Sequence, residues 1–226
     1  PDIGWDDDRL IPHLSWIKRT FKQDRNGLYK HLVHGANFSQ GAKGARDKIL
    51  LETGIEYPVN EVKRVMDIYF ELFPEIRTWH KRLLVEADRD GYVRNPFGYI
   101  HRFNGVYKWE KIGGKWQSTP NPDTANKVIA FLPQSTAAGI IKEAMLRLFH
   151  NHFDTVGQWL RLLVHDELFL EVTLTVVDEA DRILKMEMER PIPELALPAS
   201  FGMGTHLNIL TEAKRGKTWG SMKGID

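Results

Sequence analysis

Three consecutive polar residues, His165, Asp166 and Glu167, separate two apolar runs of the sequence. A single buried strand would not carry them at its centre, because a buried charge is costly unless it is paired or bound to a metal. The pattern favours two strands folded back as a hairpin, with the polar triplet at the bend. Asp166 and Glu167 would then lie side by side on a rigid support, where carboxylates can bind a hard cation such as Mg²⁺. Taken alone, the stretch favours the alternative of a polar turn between two core strands.

A second set of chemical side chains lies on a helix predicted over residues 24–38. Lys30, His34 and Phe38 follow one another at intervals of four, so they share one face of that helix. A cation, an imidazole and an aromatic ring in line could hold a nucleotide, with Lys30 and His34 on phosphate and Phe38 against the sugar or base. The alternative is an ordinary helix that carries a core histidine and a core phenylalanine.

The composition is that of a soluble globular protein. The chain has 226 residues, 42% of them hydrophobic and 27% charged, and a net charge of +1. This size allows one large domain or two small ones. The total charge indicates no polyanionic partner, but one segment is locally basic, which suits phosphate binding or an ordinary solvated face. Its positive residues are Lys18, Arg19, Lys22, Arg25, Lys30, Lys43, Arg46 and Lys48.

Cysteine is absent from the chain, which excludes disulfides and thiolate metal sites and fits a reducing compartment such as the cytoplasm. No apolar run approaches the roughly 20 residues that span a bilayer, so no membrane segment is predicted. The acidic N-terminus is no signal peptide. Because it begins with Pro1 rather than Met, we expect a fragment or a processed product.

Periodicity predicts an α+β fold, in which helices precede and follow short strands. Residues 37–44 are loop-like and contain no phosphate-binding glycine pattern. A helix broken by Pro133 is predicted over 126–152, and Gln134 beside the break would cap a freed carbonyl or reach a ligand. The other predicted helices end at Thr53, at Pro74, at Asp90 and at Glu189, and the other predicted strands are 92–94, 99–103, the pair around Gly113-Gly114, and 206–210.

Three stretches, in this order, resemble the C-terminal portion of a family A DNA polymerase, the group of bacterial DNA polymerase I and many phage replicative polymerases. The first is Lys30-x-x-x-His34-x-x-Asn37-Phe38, which is similar to the fingers helix. The second, residues 132–142, resembles the palm helix that precedes the last catalytic motif. The third is that last motif, Val164-His165-Asp166-Glu167-Leu168. Smaller matches are Tyr69-Phe70, Phe73-Pro74, Gly91-Tyr92-Val93, Pro96-Phe97-Gly98 and the ending Glu212-Ala213-x-x-Gly216-x-x-Trp219.

The resemblance implies a fingers-like helical region over residues 1–94 and a partial palm over 95–226. It implies nucleotidyl transfer, in which a primer 3′-hydroxyl attacks the α-phosphate of a dNTP with the help of two Mg²⁺ ions. Asp166 and Glu167 would be the metal-binding carboxylates. The implied partners are primer–template DNA and dNTPs.

The resemblance also assigns roles to the remaining site residues. Lys30 and His34 would contact the triphosphate, with His34 a candidate proton donor to pyrophosphate, and Phe38 would lie beside the sugar. Gln134 would contact the DNA minor groove, and His165 would lie near the primer backbone. The family usually has Lys where His34 stands, although the pair His34-Gly35 resembles phage-type members.

One departure from the family pattern concerns the metal site. The family's other essential metal-binding Asp lies in an Asp-x-Ser-x-x-Glu-like motif on an upstream palm strand, and nothing in residues 1–29 matches it. Asp6, Asp7 and Asp8 lack that strand context. We therefore expect this chain alone not to polymerise, and to work as one piece of a split or longer polymerase with an N-terminal partner segment.

Two other classes of function compete with this interpretation. A non-catalytic nucleic-acid-binding module that keeps the polymerase fold would retain DNA affinity when Asp166 is replaced by Asn. A structural helical domain with chance motifs would show no DNA binding that weakens with salt.

Overall fold

The computed structural model describes residues 28–201 and 204–224, and it confirms the predicted α+β fold. The helices in this part of the chain are α1 Lys30–Asn37, α2 Ala42–Thr53, α3 Val59–Leu72, α4 Pro74–Asp90, α5 Pro122–Asn151 and α6 Val177–Met188. The strands are β1 Tyr92–Arg94, β2 Ile100–Arg102, β3 Tyr107–Ile112, β4 Lys115–Pro120, β5 Leu160–Val164, β6 Glu167–Leu170, β7 Lys214–Arg215 and β8 Lys223–Gly224. They pair consecutively into two-stranded sheets.

Two of the predicted helix ends follow from glycine chemistry. Gly54 and Gly91 close α2 and α4 in the left-handed conformation, with φ of 72° and 73°, which glycine adopts without a Cβ penalty. Pro74 plays a different part from the one predicted, because it is the first residue of α4 rather than the last of α3. That position needs no backbone N–H, so proline is well tolerated there.

The described residues form two compact units, the first of residues 28–93 and 102–130, the second of 94–101, 131–201 and 204–224. In the first unit α1, α2 and α3 share a core that includes Leu28, Leu32, Ala36, Ile49 and Val62. The fingers-like and palm-like regions inferred from the sequence stay a prediction, since compactness does not identify either one.

The core of the second unit joins α5, α6 and the β5–β6 hairpin. It is formed by Leu148, Val156, Ala180 and Ile183, with the strand residues Leu168 and Leu170 packed against them. Beside it the buried Glu187 carboxylate accepts hydrogen bonds from Arg147 at 2.9 Å and His152 at 3.1 Å. Burial alone would raise the pKa of Glu187, but these bonds and the charges of Arg147 and Arg190 together lower it. The network links the end of α5 to α6.

Pro133 does not divide the long helix, contrary to one of the two predicted outcomes. It lies inside the continuous α5. A proline removes one backbone donor, and the neighbouring turns can keep their own bonds. Here the hydroxyls of Ser135 and Thr136 also donate to the Leu132 carbonyl, at 3.3 and 2.7 Å. None of the described helices is long and apolar enough to cross a membrane.

The strand predicted over residues 206–210 is wrong. His206 forms an isolated bridge with Ala196, and Leu207 exchanges backbone bonds with the loop that contains Ile192 and Leu195. That loop also contains Pro193 and Pro198, which have no N–H to donate. A regular ladder therefore cannot extend, and Leu210 remains 81% exposed.

Candidate functional site

The β5–β6 hairpin presents the carboxylates of the last motif. Val164 pairs with Glu167, so the turn consists of His165 and Asp166 alone, and Glu167 begins β6 instead of lying at the bend as predicted. His165 has a φ of 55°, which is uncommon for a residue with a side chain. His165, Asp166 and Glu167 are all exposed, and no described residue forms a hydrogen bond or ion pair with their side chains. Their oxygen and nitrogen atoms are therefore open to a ligand.

Strand β6 is supported on both of its faces. Leu168 and Leu170 pack into the core of the second unit. On the other face Phe169 stacks on Trp219, with ring centroids 5.0 Å apart and an interplanar angle of 18°. Because Glu167 and Phe169 are two residues apart, they share that face. The hairpin that carries the carboxylates is thus fixed from two directions.

The C-terminal segment holds Trp219 in place. Arg215 forms ion pairs with Asp181 and, at 2.8 Å, with Asp178, which ties β7 to α6. Trp219 itself begins a short 3-10 helix that is closed by a capping box between Thr218 and Ser221. Sequence reasoning matched Trp219 to the family ending but did not find its contact with β6, because nothing in the spacing of the two residues indicates it.

Asp166 and Glu167 have the chemistry that Mg²⁺ requires, since hard cations bind carboxylate oxygens and no described residue engages these two side chains. They do not complete a metal centre by themselves. Among residues 28–201 and 204–224 no group of three or more His, Cys, Asp or Glu side chains comes together. The further carboxylates expected from an upstream segment stay a prediction.

Helix α1 carries the predicted nucleotide-binding residues. Its buried side, through Leu32 and Ala36, faces the core, while Lys30 and His34 are exposed. Phe38 follows the helix, and its ring centroid lies 4.6 Å from that of His34. The three side chains therefore lie along one surface, as the spacing predicted.

The electrostatic environment of His34 is positive. Partial burial lowers its pKa below the ordinary 6.5, and the nearby charges of Lys48, His31 and Lys30 lower it further, while Glu52 opposes them. The imidazole is therefore neutral at pH 7 and donates one N–H. Lys48 and His31 are themselves near Glu52, at 3.8 and 3.0 Å. Lys30 has no ion pair with a described carboxylate, so its ammonium group is available to bind an anion.

Asn37, at the end of α1, is held by two side chains from other helices. Tyr69 of α3 donates to its side-chain oxygen at 2.8 Å, and His80 of α4 donates from Nε2 to its carbonyl at 2.9 Å. Burial lowers the pKa of His80, partly offset by this bond. These contacts fix the residue that precedes Phe38. Sequence analysis missed His80, which lies 43 positions away in the chain.

Gln134 lies on the exposed side of α5 and caps no described carbonyl, although capping was an expected role. The same helix packs on the β1–β2 turn within the second unit. A Cβ at Gly139 would lie 2.3 Å from the Phe97 ring, so glycine is required there. Lys142 lies over the Tyr99 ring, 5.1 Å from its centroid. Two motifs noted separately in the sequence are thus in contact.

The basic segment is only partly described, because Lys18, Arg19, Lys22 and Arg25 lie outside the described residues, as do Asp6, Asp7 and Asp8. Within the described part, Arg46 pairs with Asp47 at 2.9 Å and Glu56 at 3.4 Å. Lys43 is exposed and has no such pair among the described carboxylates. Lys30 and Lys43 are therefore the cations of this part that remain available to a phosphate.

Comparison with known proteins gives a consistent result. The family model described as DNA polymerase family A matches residues 19–221. The thermostable DNA polymerase I of Thermus filiformis is 33% identical over 222 residues, which cover 87% of this chain and 25% of the relative. DNA polymerase I of Deinococcus radiodurans is 27% identical over 159 residues, covering 70% of this chain and 16% of the relative.

The fold agrees as well. A solved structure of the POL domain of Pol1 from M. smegmatis, in complex with DNA primer-template and dNTP, superposes with a TM-score of 0.56 and 22% identity. The match covers 71% of this chain and 26% of that one. The chain spans about a quarter or less of the length of these relatives. With nine-tenths of its residues matched by the family model, the chain belongs to DNA polymerase family A.

Proposed function

We propose that this chain supplies the fingers and part of the palm of a template-directed DNA polymerase, which transfers dNMP to a primer 3′-hydroxyl. One observation carries the proposal. In a member of family A, the last catalytic motif forms a rigid exposed turn whose two adjacent carboxylates have no described partner. An enzyme site needs such preorganised and unengaged groups, whereas a polar turn of purely structural use does not.

Asp166 and Glu167 hold Mg²⁺ in this proposal. When bound, Mg²⁺ would stabilise the attacking and leaving oxygens of the displacement. The two carboxylates are kept at a fixed spacing by the register of the hairpin and by the Trp219 stack on β6. The remaining carboxylate ligands come from an upstream palm strand outside residues 28–224.

Lys30 and His34 bind the triphosphate of the incoming nucleotide, and Phe38 lies beside its sugar. Lys30 offers an ammonium that pairs with no described carboxylate, and the neutral His34 imidazole offers one N–H. Approach of a polyanion favours the imidazolium, so His34 gains a proton on binding that it can return to the leaving pyrophosphate. Its contact with Phe38 holds the imidazole beside the aromatic ring that would lie against the sugar.

Gln134 and His165 contact the DNA. Gln134 is exposed, and its amide bonds to no described residue, so it can donate to and accept from base edges in the minor groove. The left-handed backbone of His165 places its side chain at the tip of the hairpin, where the primer backbone would pass. Lack of cysteine suits the reducing cytoplasm of a bacterium or a phage-infected cell, where we propose that the chain takes part in replication.

The experiment is primer extension with this chain alone and with a longer protein, or a second polypeptide, that carries the upstream palm motif. We expect no extension by the chain alone and extension after completion. Asp166→Asn should abolish the completed activity and leave primer–template affinity within about threefold. Extension that survives Asp166→Asn would reject the catalytic role. Intact DNA binding with no extension in any combination would favour the non-catalytic nucleic-acid-binding module.

A further inference from the structure

The β3–β4 hairpin of the first unit exposes two tryptophans that have no role in the proposed catalysis. Trp109 is 71% exposed and Trp116 is 67% exposed. Large aromatic side chains are costly to leave in water. Adjacent exposed aromatic side chains therefore often mark a surface that binds a partner or ligand.

The register places both rings on one face. Trp109 pairs with Ser118, and Lys111 pairs with Trp116, so the two tryptophans are diagonal neighbours. Diagonal positions are about 7–8 Å apart. That is roughly twice the 3.4 Å rise between stacked bases, enough for one flat base between the rings. We call this surface the Trp face; it consists of Tyr107, Trp109, Lys111, Trp116, Ser118 and Pro120.

The charge on the two faces of the hairpin differs. The single carboxylate of β3 and β4, Glu110, lies on the opposite face, where it accepts from Thr119 at 2.7 Å and pairs with Lys108 at 3.3 Å. Those two contacts, the Thr119 bond first, lower the pKa of Glu110, so it stays ionised and neutralises Lys108. The Trp face carries only Lys111, which has no ion pair with a described carboxylate.

The hairpin is a rigid platform. Six consecutive residue pairs join its strands, and the turn uses Gly113 and Gly114 at φ of 57° and 84°, which suits a tight two-residue turn. At its base, Asn121 donates from its backbone to Val106 at 2.8 Å and from its side chain to Gly105 at 3.1 Å. The aromatic rings therefore project from a fixed support.

We propose that the Trp face binds single-stranded nucleic acid, with unpaired bases stacked on Trp109 and Trp116 and a phosphate on Lys111. Aromatic rings beside a lone cation, without a carboxylate, match the flat bases and negative backbone of a single strand. A duplex offers no free base faces to such rings. This contact adds to the proposed polymerase function but does not depend on it, since stacking needs neither metal nor dNTP.

The test measures binding of the full chain to a fluorescein-labelled oligothymidylate by fluorescence anisotropy. We expect Trp109→Ala or Trp116→Ala to weaken binding at least about fivefold, and the double variant about thirtyfold, because each substitution removes a ring on which a base stacks. The double Phe variant should bind within about threefold of wild type, since it keeps aromatic rings. Because the rings are exposed, the Ala variants should keep the wild-type circular dichroism spectrum.

A charge-matched pair sharpens the test. Lys111→Gln, on the Trp face, should weaken binding and reduce the slope of log affinity against log salt by about 0.7. Lys115→Gln, on the opposite face, should change neither. Equal affinity of the double Ala variant and wild type would overturn the proposal, as would equal effects of Lys111→Gln and Lys115→Gln. If the double Ala variant binds the oligonucleotide as tightly as the wild type but has a lower apparent mass in solution, the Trp face is instead a contact between copies of the chain. Asp166→Asn should leave this binding intact, so failure here is separate from failure of the catalytic proposal.

Discussion

Helix α1 and the β5–β6 turn lie in different compact units, and they are prepared for ligands in opposite ways. Partial burial, and then the charges of Lys48, His31 and Lys30, lower the pKa of His34 on helix α1, and the end of that helix is anchored through Asn37. The β5–β6 turn carries two carboxylates that no described residue engages. The α1 surface is therefore ready for a polyanion as it stands, whereas the turn requires a cation and further ligands. This difference suggests that triphosphate binding survives in the chain alone and that metal binding does not.

The largest effect is expected at the turn. Asp166→Asn in the completed polymerase should lower the rate of primer extension by about a thousandfold or more, because charge stabilisation at the reacting phosphate contributes several kcal/mol. Glu171→Gln is the matched control, since Glu171 follows the same strand and pairs with Arg161 at 3.3 Å. Single-turnover extension measures both. A similar loss in the two variants would assign the effect to general surface charge.

The next largest effect is expected at the hydrogen-bond network of the buried Glu187 in the second unit. Arg147→Met leaves the buried Glu187 with a weakened network and should lower the free energy of unfolding by about 2–3 kcal/mol. Arg182→Met is the control, because Arg182 pairs on the surface with Glu179 at 2.6 Å. Urea unfolding at pH 7 measures the difference. Because the folded-state pKa of Glu187 is lowered from 4.5, the stabilisation exists above that pH and is lost as the pH falls through the folded value. Equal destabilisation by the two variants would contradict the role of the network.

At α1 a smaller and pH-dependent effect is expected. His34→Ala should weaken dNTP binding about tenfold, whereas His31→Ala, whose ring pairs with Glu52, should have little effect. Affinity of the wild type should rise as the pH falls toward the lowered pKa of His34, since the imidazolium binds the triphosphate better. His34→Lys should remove this dependence. A dNTP affinity that is flat with pH in the wild type would rule out His34 as a titrating contact.

The smallest effect concerns the anchor of α1. The pKa of buried His80 is lowered from 6.5, so the unfolded chain takes up a proton that the folded chain does not. The contribution of His80 to stability is therefore greatest above pH 6.5 and declines as the pH falls below it. His80→Gln keeps an N–H donor but does not titrate. The free energy of unfolding of this variant should therefore decline less than that of the wild type between pH 7.5 and 5.5. Equal declines of the free energy of unfolding in the variant and the wild type would show that His80 does not contribute to the pH dependence of stability.

The sequence predicted those parts of the molecule that local rules determine. Left-handed glycines end α2 and α4, Gly113 and Gly114 form a turn, and the spacing of Lys30, His34 and Phe38 gives one surface. Local sequence patterns did not predict contacts between residues that are distant in the chain. The bond from His80 to Asn37 and the stack of Trp219 on Phe169 depend on packing of elements 43 and 50 positions apart, which no local pattern encodes.

The outcome at Pro133 and the wrong strand over residues 206–210 share a cause. Of the two outcomes predicted at Pro133, division of the helix did not occur, and residues 206–210 form no strand, because in each case the hydrogen bonds available from the surrounding segments decided the outcome. In α5 the flanking turns were intact. Beside residues 206–210 the neighbouring loop contained two prolines.

The central claim is that Asp166 and Glu167 at the β5–β6 turn bind the divalent cation of nucleotidyl transfer. Anomalous diffraction from crystals of the completed polymerase with primer–template, dNTP and Mn²⁺ tests it most directly. The account predicts a manganese peak at the Asp166 carboxylate. Manganese bound without Asp166 would contradict it.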